Sequence, residues 1–205
     1  MDDAITLECL SGAALLPHLD AVAALRIAVF RDWPYLYDGD AAYEREYLDA
    51  YAQSTNSIVV LARDGDDVVG ASTGIPLAQD STEFQAPFLT RGIDVAKVFY
   101  CGESVLLPAY RRRGIGHGFF DAREAHARAL GGFAWTAFAA VDRDERDPRR
   151  PVDHRGNEAF WSKRGYVRQP GMTMRLHWNE TGIGDIDHPL TFWLRPLDVV
   201  DEDAS

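Results

Sequence analysis

The chain has 205 residues, 46% of them hydrophobic, and a formal net charge of −11 at pH 7. This length can bury a substantial core, and the acidic balance argues against nucleic-acid binding, which requires a basic surface. The charge fits either solubility alone or attraction of cationic substrates. Because the sequence has no repeat, low-complexity run or long linker, residues 1–205 are expected to form one domain with a frayed acidic tail at 198–205.

The composition also bears on location. No stretch is expected to approach the roughly 20 apolar residues of a membrane span, and the first ten residues do not resemble a secretory signal. Cys9 and Cys101 lie in apolar, strand-like segments and are expected to be reduced core residues. These features indicate a cytoplasmic protein without a membrane partner, and no Cys/His cluster has metal-ligand spacing.

The first half of the chain combines helical and strand-like patterns. Proline disfavours helix in the residue before it, so the first helix is expected to end near Trp33-Pro34. Asp40 is a suitable cap for the second helix, and Asp64-Gly65-Asp66 is typical of a β-hairpin turn. The expected elements are a strand at 4–10, helices from Pro17 and over 40–52, strands at 57–63 and 67–75, and a loop at 79–95 with at most a helical turn.

The second half centres on a strand at 98–107 that leads through a proline turn into a helix at 114–130. Apolar residues recur along that helix every three or four positions, which predicts one buried stripe. The expected members of the stripe are Ile115, Phe119, Ala122, His126 and Ala129. The remaining expected elements are a strand at 133–141, a charged connection at 142–155, a short helix at 157–163, and strands at 167–178 and 190–197.

The segment that starts the long helix has the chemistry of an anion site. Residues 111–116 read Arg-Arg-Arg-Gly-Ile-Gly and fit the pattern R/Q-x-x-G-x-G/A. Free N–H groups at a helix start favour an anion, and glycines let it approach the backbone. A P-loop is excluded because no Gly-Lys-Ser/Thr follows, and the dinucleotide fingerprint is unmet because the third glycine falls at Gly118. The alternative is a glycine-rich turn that only packs tightly.

The same pattern resembles the acyl-CoA-binding signature of the GCN5-related N-acetyltransferase (GNAT) family, whose topology is similar to the element order predicted here. The resemblance implies an α/β acyl-CoA N-acyltransferase fold, with a mixed central sheet of about seven strands and helices on both faces. The sheet would splay between its fourth and fifth strands, here 98–107 and 133–141, with acetyl-CoA in the split and no metal. The implied cofactor-binding residues in this region are Leu106, Leu107, Arg111, Arg113, Gly114, Ile115, Gly116, His117 and Gly118.

Residues 157–166 resemble the family's late motif, in which a tyrosine often protonates the leaving thiolate. Trp161 stands at that position, and indole is no practical proton source. Trp161 therefore either packs against the cofactor or belongs to the core. Asn157 either caps its helix or hydrogen-bonds the cofactor. The missing tyrosine keeps open a non-catalytic acyl-CoA-binding or regulatory module as the alternative to an enzyme.

The implied reaction is direct transfer of an acetyl group from acetyl-CoA to a primary amine, which requires a group that takes a proton from the ammonium. Glu103 is the hypothesised base, acting directly or through water, and a structural ion pair with an arginine is its alternative role. Tyr100 is the second candidate, as base or acid. Strand alternation places Tyr100 and Glu103 on opposite faces, either of which can face the split.

The acceptor is expected to be a small-molecule or peptide amine, with a cationic amine favoured by the acidic charge. In the resembled family the connection between the first two helices forms one wall of the acceptor site. Here that connection carries Arg31, Trp33, Tyr35 and Tyr37. Packing of one helix on the next, or a homodimer contact, are the alternatives. The connection at 142–155 either folds over a ligand or is a solvated charged loop.

Overall fold

The computed structural model describes residues 5–197, so the predicted tail at 198–205 lies outside the described residues. The strands are β1 (Thr6–Leu10), β2 (Ile58–Asp64), β3 (Asp67–Pro76), β4 (Val98–Tyr100), β5 (Ser104–Leu106), β6 (Trp135–Val141), β7 (Val167–Glu180) and β8 (Gly184–Pro196). The helices are α1 (Leu19–Phe30), α2 (Ala41–Gln53), α3 (Thr82–Thr90), α4 (Ile115–Leu130) and α5 (Glu158–Lys163). The predicted order is confirmed with two differences: α3 lies in the expected loop, and the strand expected at 98–107 is two strands.

The eight strands form one mixed sheet that splits in its middle. The strand order is β1-β2-β3-β4-β6-β8-β7, with β5 also paired to β3. The β4–β6 contact is parallel and ends where Tyr100 pairs with Ala137. Beyond it, β5 stays on β3 while β6 continues along β8. The predicted mixed sheet, splayed between the segments at 98–107 and 133–141, is therefore confirmed.

A β-bulge marks the point where the sheet splits. Ile75 pairs with Tyr100, and Ser72 pairs with Ser104. Ser72 and Ile75 are three positions apart on β3, whereas their partners Ser104 and Tyr100 are four positions apart. The segment at 100–104 therefore contains one extra residue. An extra residue turns the following side chains to the other face. The expectation that Tyr100 and Glu103 face opposite sides is therefore wrong, and both line one cavity.

Helices cover both faces of the sheet. On β2, Val60 packs into the core that contains Ile115 of α4, whereas Leu61 packs into the core that contains Leu25 of α1. Phe88 of α3 packs in a third cluster against β6 and β8. The helices α4 and α5 thus cover one face, and α1, α2 and α3 cover the other.

The buried face of α4 differs from the predicted stripe. Ile115 and Phe119 are buried as expected, but Ala129 is exposed and the charged Arg123 and Glu124 are buried instead. Arg123 Nη1 donates to the Glu103 carbonyl (3.1 Å) within the bulge. The prediction rested on the spacing of apolar residues, so it could not include Arg123 and Glu124. Charged residues are buried only where specific partners satisfy them, and such partners are not visible in the spacing.

Two expectations for the N-terminal region need correction. Residues 12–30 form a 19-residue apolar helical stretch with a mean hydropathy of 1.6, long enough by composition to cross a membrane. Such a stretch is weak evidence for a span, because core helices pass the same test, and here Val22 and Leu25 lie in the core. Both cysteines are free as expected, but Cys9 is exposed on the edge strand β1 and only Cys101 is buried.

Arg123 is predicted to stabilise the bulge. Replacing it with methionine removes the donor to the Glu103 carbonyl and the longer bond to the Thr73 carbonyl (3.5 Å). We expect Arg123→Met to lower the free energy of unfolding by about 2 kcal/mol, because the bulge loses a buried hydrogen bond from a charged donor. Urea denaturation provides the measurement, and Arg128→Met on the exposed side of α4 is the control. Equal stability of the two variants would contradict the prediction.

Candidate active site

A cavity of about 650 Å³ opens on the face covered by α1, α2 and α3. Glu103 of the bulge and Ala139 of β6 line it from the two sides of the split. Its walls are mostly aromatic, formed by Phe30, Tyr35, Tyr37, Tyr43, Tyr47, Tyr51, Phe84, Tyr100 and Trp178. Its ionisable lining residues are mainly acidic: Glu44, Glu46, Asp80, Glu83, Glu103 and Asp187, with Arg26, Arg175 and His177. Flat aromatic faces and surplus negative charge favour an organic cation.

Arg26 of α1 organises one wall of this cavity. Its buried guanidinium forms ion pairs with Glu44 and Glu103 and lies 4.2 Å from the centre of the Tyr47 ring. Tyr47 also donates its hydroxyl to Glu103 Oε2 (3.0 Å). Burial lowers the pKa of Arg26, but the neighbouring carboxylates outweigh it and place the pKa well above its usual value. Glu103 therefore has the arginine partner that its alternative, structural role requires.

The buried tyrosines of the cavity are neutral hydrogen-bond donors. Tyr100 is 2% exposed, and its ring packs edge-on against Phe84 at 5.1 Å. Burial raises the pKa of Tyr100 well above its ordinary value, and the charge of Asp80 adds to the effect. The pKa of Tyr47 is raised for the same first reason. A phenol in this state stays protonated at neutral pH, so it can donate a hydrogen bond but cannot act as a base.

Asp80 lines the cavity although nothing in the sequence singled it out. It follows a 3-10 turn (Leu77–Gln79) after β3, within the segment expected to be a loop. Its Oδ1 accepts a hydrogen bond from the Ser81 N–H (2.7 Å). Burial raises the pKa of Asp80 to about 6, against the lowering effect of that hydrogen bond. Within residues 5–197 Asp80 has no ion-pair partner at salt-bridge distance.

The predicted anion loop lies at the start of α4. Gly114 caps the helix with φ +84°, a conformation that glycine adopts at least cost. The His117 N–H donates to the Gly114 carbonyl (2.9 Å), so helical bonding begins there. The N–H groups of Ile115 and Gly116 consequently point out of the helix end. A Cβ at Gly116 would meet only Phe160 at 3.7 Å, so the protein leaves its backbone accessible.

Side chains around the loop have distinct positions. Arg111 Nε donates to the Leu106 carbonyl (3.1 Å), and the Arg113 guanidinium lies 5.2 Å from the Tyr110 ring. The arginines at 111–113 are exposed, and in the described part of the chain none has an ion-pair partner. The remaining two predicted residues contact other elements: the His117 ring packs on Phe160 at 4.9 Å, and a Cβ at Gly118 would clash with the Leu7 side chain of β1.

The strand beside the split has a free edge. The Leu107 N–H donates to Val69 O (3.0 Å) and the Thr73 N–H to Glu103 O (3.0 Å), so alternate residues bond β3. The N–H groups of Ser104 and Leu106 therefore face away from β3 and into the split. Of the two leucines that the family resemblance implied as cofactor-binding residues, only Leu106 directs its N–H there.

The late motif divides between surface and core. Asn157 precedes α5, is exposed and makes no side-chain cap hydrogen bond. Trp161 packs against Phe138 at 4.9 Å and Trp193 at 5.2 Å, between ring centroids. This packing favours the core alternative for Trp161 and leaves the Asn157 amide available to a ligand.

The aromatic connection between α1 and α2 contributes two of its four predicted residues to the cavity. Tyr35 and Tyr37 line it, whereas Arg31 and Trp33 are not among its lining residues. Trp33 instead faces His154 at 6.2 Å and the Arg143 guanidinium at 5.7 Å.

The charged connection at 142–155 holds this wall in place. Arg143 and Arg149 converge on Glu180, which is 0% exposed, and we refer to these three residues as the Glu180 clamp. Arg143 also donates to the carbonyls of Pro34 (2.6 Å) and Tyr35 (2.8 Å). Burial raises the pKa of Glu180, but the two arginines outweigh it, so the pKa lies below its ordinary value. The solvated-loop expectation is therefore wrong for Arg143, whereas Arg149 is exposed and still pairs with Glu180.

Comparison with known proteins gives a family and a fold. The model of the acetyltransferase (GNAT) family matches residues 23–150, more than half of the chain. A search of curated proteins gives no significant match.

Three solved structures are similar over nearly their whole length, and at these identities they show the fold alone. One is yncA of Salmonella typhimurium, assigned as an acetyltransferase and solved with its cofactor acetyl-CoA; it is 12% identical with a TM-score of 0.58, covering 98% of this chain and 99% of its own. An N-acetyltransferase of Staphylococcus aureus is 13% identical, with a TM-score of 0.59 and coverage of 95% and 99%. An acetyltransferase of Thermus thermophilus is 14% identical, with a TM-score of 0.56 and coverage of 96% and 99%.

The Glu180 clamp is predicted to stabilise the protein in a pH-dependent way. We expect Glu180→Gln to lower the free energy of unfolding by about 3 kcal/mol at pH 7, because two arginines lose a buried partner. Since the folded-state pKa of Glu180 is lowered, its contribution is present above the ordinary value of 4.5 and is lost as pH falls through the folded value. The difference from wild type should therefore shrink below that pH in urea denaturation. Glu145→Gln, an exposed change in the same connection, should have little effect at any pH.

Proposed function

The chain belongs to the GNAT family of acetyltransferases, and from this premise we propose that it transfers an acetyl group from acetyl-CoA directly to a primary amine of a small cationic molecule or a peptide. The observation that carries the proposal is the position of the cavity. The cavity opens where the sheet splits, and Glu103 in its wall directly precedes β5, whose Leu106 N–H faces the split. A donor held in the split and an acceptor held in the cavity would meet there.

The donor side has the groups that an acyl-CoA requires. The outward N–H groups of Ile115 and Gly116 and the exposed arginines at 111–113 suit a pyrophosphate. The Leu106 N–H faces the split, where it suits an amide or thioester oxygen. The exposed Asn157 amide and the His117 ring lie on elements next to this loop.

The acceptor side suits a cationic amine. Aromatic faces attract an ammonium through the ring quadrupole, and six carboxylates outnumber the two arginines in the lining. In the proposed reaction the amine nitrogen attacks the thioester carbonyl carbon, and the carbon–sulfur bond breaks. Tyr100, which lines the cavity as a neutral phenol, would give the leaving thiolate a proton in this step. Glu103, nominated from the sequence as the base, lies in the cavity but shares its charge with Arg26.

The function is tested in two steps. Calorimetry with coenzyme A establishes donor binding, and release of free thiol from acetyl-CoA in the presence of tyramine, spermidine, kanamycin or a lysine-containing peptide establishes transfer. Binding with amine-dependent thiol release is the expected result. Absence of coenzyme A binding would overturn the proposal, and binding without release to any amine would favour the non-catalytic module.

Alanine substitutions at Gly116 and Gly114 should have different effects, the first on coenzyme A affinity and the second on folding stability. We expect Gly116→Ala to weaken coenzyme A binding about tenfold, a loss of about 1.4 kcal/mol, because a methyl group covers the exposed N–H groups. Its thermal stability should be unchanged or slightly higher, since the site has room and alanine favours helix. Gly114→Ala should instead cost about 1 kcal/mol of folding stability at its positive φ. Calorimetry and thermal unfolding of both variants check this; unchanged affinity in Gly116→Ala would contradict it.

Glu103→Gln should lower turnover without affecting the donor site. The change removes a carboxylate from the cavity and leaves Arg26 with only Glu44 as a charged partner. We expect kcat/KM for the best amine to fall at least about tenfold, which is about 1.4 kcal/mol of transition-state stabilisation, with coenzyme A affinity retained. If turnover and its pH profile equal those of wild type, Glu103 has no role in the reaction.

A further inference from the structure

The cavity carboxylates differ in how their charge is balanced. Glu44 and Glu103 share the buried Arg26. Asp187 lies 3.0 Å from His177 Nδ1 and is exposed. The two remaining glutamates that line the cavity are also exposed. Asp80 is therefore the one partly buried carboxylate of the cavity that lacks a cationic neighbour at ion-pair distance within residues 5–197.

None of the titratable groups around Asp80 in the described part of the chain carries a positive charge. Asp80 lines the cavity together with Tyr51 of α2 and Tyr100 of β4, and its charge raises the pKa of both phenols. The titratable or charged groups that face it from each adjoining element are Tyr47 and Tyr51 on α2, Tyr100 on β4, Glu103 in the bulge and Glu83 on α3. The first three are neutral at pH 7 and the last two are acids, so none balances its charge. The Ser81 N–H occupies only one of its oxygen lone pairs.

We propose that Asp80 binds the acceptor's ammonium group and takes its proton before the amine attacks the thioester. The inference rests on the proposed acetyl transfer and reassigns the proton acceptor from Glu103 to Asp80. Glu103 then serves as a positioning residue that holds Arg26 and Tyr47 against the bulge.

The proton balance of the step is complete with these groups. The ammonium gives one proton to the Asp80 carboxylate, and the neutral amine forms the nitrogen–carbon bond. As the carbon–sulfur bond breaks, Tyr100 protonates the sulfur. The second proton of the nitrogen restores the Tyr100 phenol, and the first leaves Asp80 for solvent. One acetyl-CoA and one ammonium thus give one amide, one thiol and one proton.

The environment of Asp80 suits this role. Burial brings its pKa to about 6, nearer to that of an ammonium than an ordinary aspartate's would be. The group is still charged at neutral pH and can attract a cation. Asp80 directly follows the 3-10 turn at Leu77–Gln79, is partly buried and lines the cavity.

The test compares Asp80→Asn with Glu103→Gln and with Asp66→Asn, an isosteric change in the exposed β2–β3 turn. The assay is acetyl-CoA thiol release with the best amine of the panel, from pH 5 to 9. We expect Asp80→Asn to lower kcat/KM by roughly 10² to 10⁴ and to abolish the rise of kcat/KM near pH 6, with coenzyme A affinity unchanged. Glu103→Gln should retain that rise, and Asp66→Asn should match wild type.

A readout without substrate guards against a folding defect. Carbon-13 carboxyl NMR of the wild-type protein should show one aspartate that titrates near pH 6 and that is missing in Asp80→Asn. Normal activity with the rise intact in Asp80→Asn, loss of the rise only in Glu103→Gln, or titration of Asp80 below pH 5 would each overturn the inference while acetyl transfer stands. Failure of wild type to bind coenzyme A or to acetylate any amine would overturn both.

Discussion

One extra residue between Tyr100 and Ser104 determines the geometry of the site. It ends the pairing of β4 with β6, turns the Ser104 and Leu106 N–H groups into an open split, and brings Glu103 to the same face as Tyr100. Extra residues in strands are unpaired and need other partners. Here Arg123 of α4 supplies one of them. The helix that begins at the anion loop thus also supports the backbone at the cavity, so the two halves of the site share one rigid element.

The two faces of the sheet carry opposite charge at the site. On one face of the sheet, exposed arginines precede a helix N-terminus, which favours an anion. On the other face, carboxylates outnumber arginines and aromatic rings surround them. Arg26, which is buried on that face, forms ion pairs with two glutamates. The net charge of −11 is therefore distributed unevenly, with a local basic loop and an acidic cavity on opposite sides of one split.

The sequence was sufficient for the order of elements, because helix periodicity, turn residues and the capping Asp40 are local signals; Asp40 indeed accepts from the Ala42 and Tyr43 N–H groups. It also predicted that α4 begins at the glycines of 114–118, because Gly114 adopts a positive φ at the helix start. It missed α3, which contains Pro87, a residue that normally interrupts helices. It could not locate Asp80 or Glu180, whose environments arise from residues far apart in the chain. The one-residue bulge likewise depends on pairing with β3. Strict alternation of side chains along a strand therefore could not predict that Tyr100 and Glu103 lie on the same face.

The position of Trp178 has a practical consequence for spectroscopy. Its indole lines the cavity, stacks on His188 with ring centroids 3.6 Å apart, and donates to the Tyr35 carbonyl (3.2 Å). Trp161 and Trp193 lie together on the other side of the sheet, near α5. The chain thus contains a natural fluorophore at its cavity wall and a second group remote from it. With the other four tryptophans (Trp33, Trp135, Trp161 and Trp193) replaced by phenylalanine, Trp178 emission would report occupancy of the cavity without any attached label.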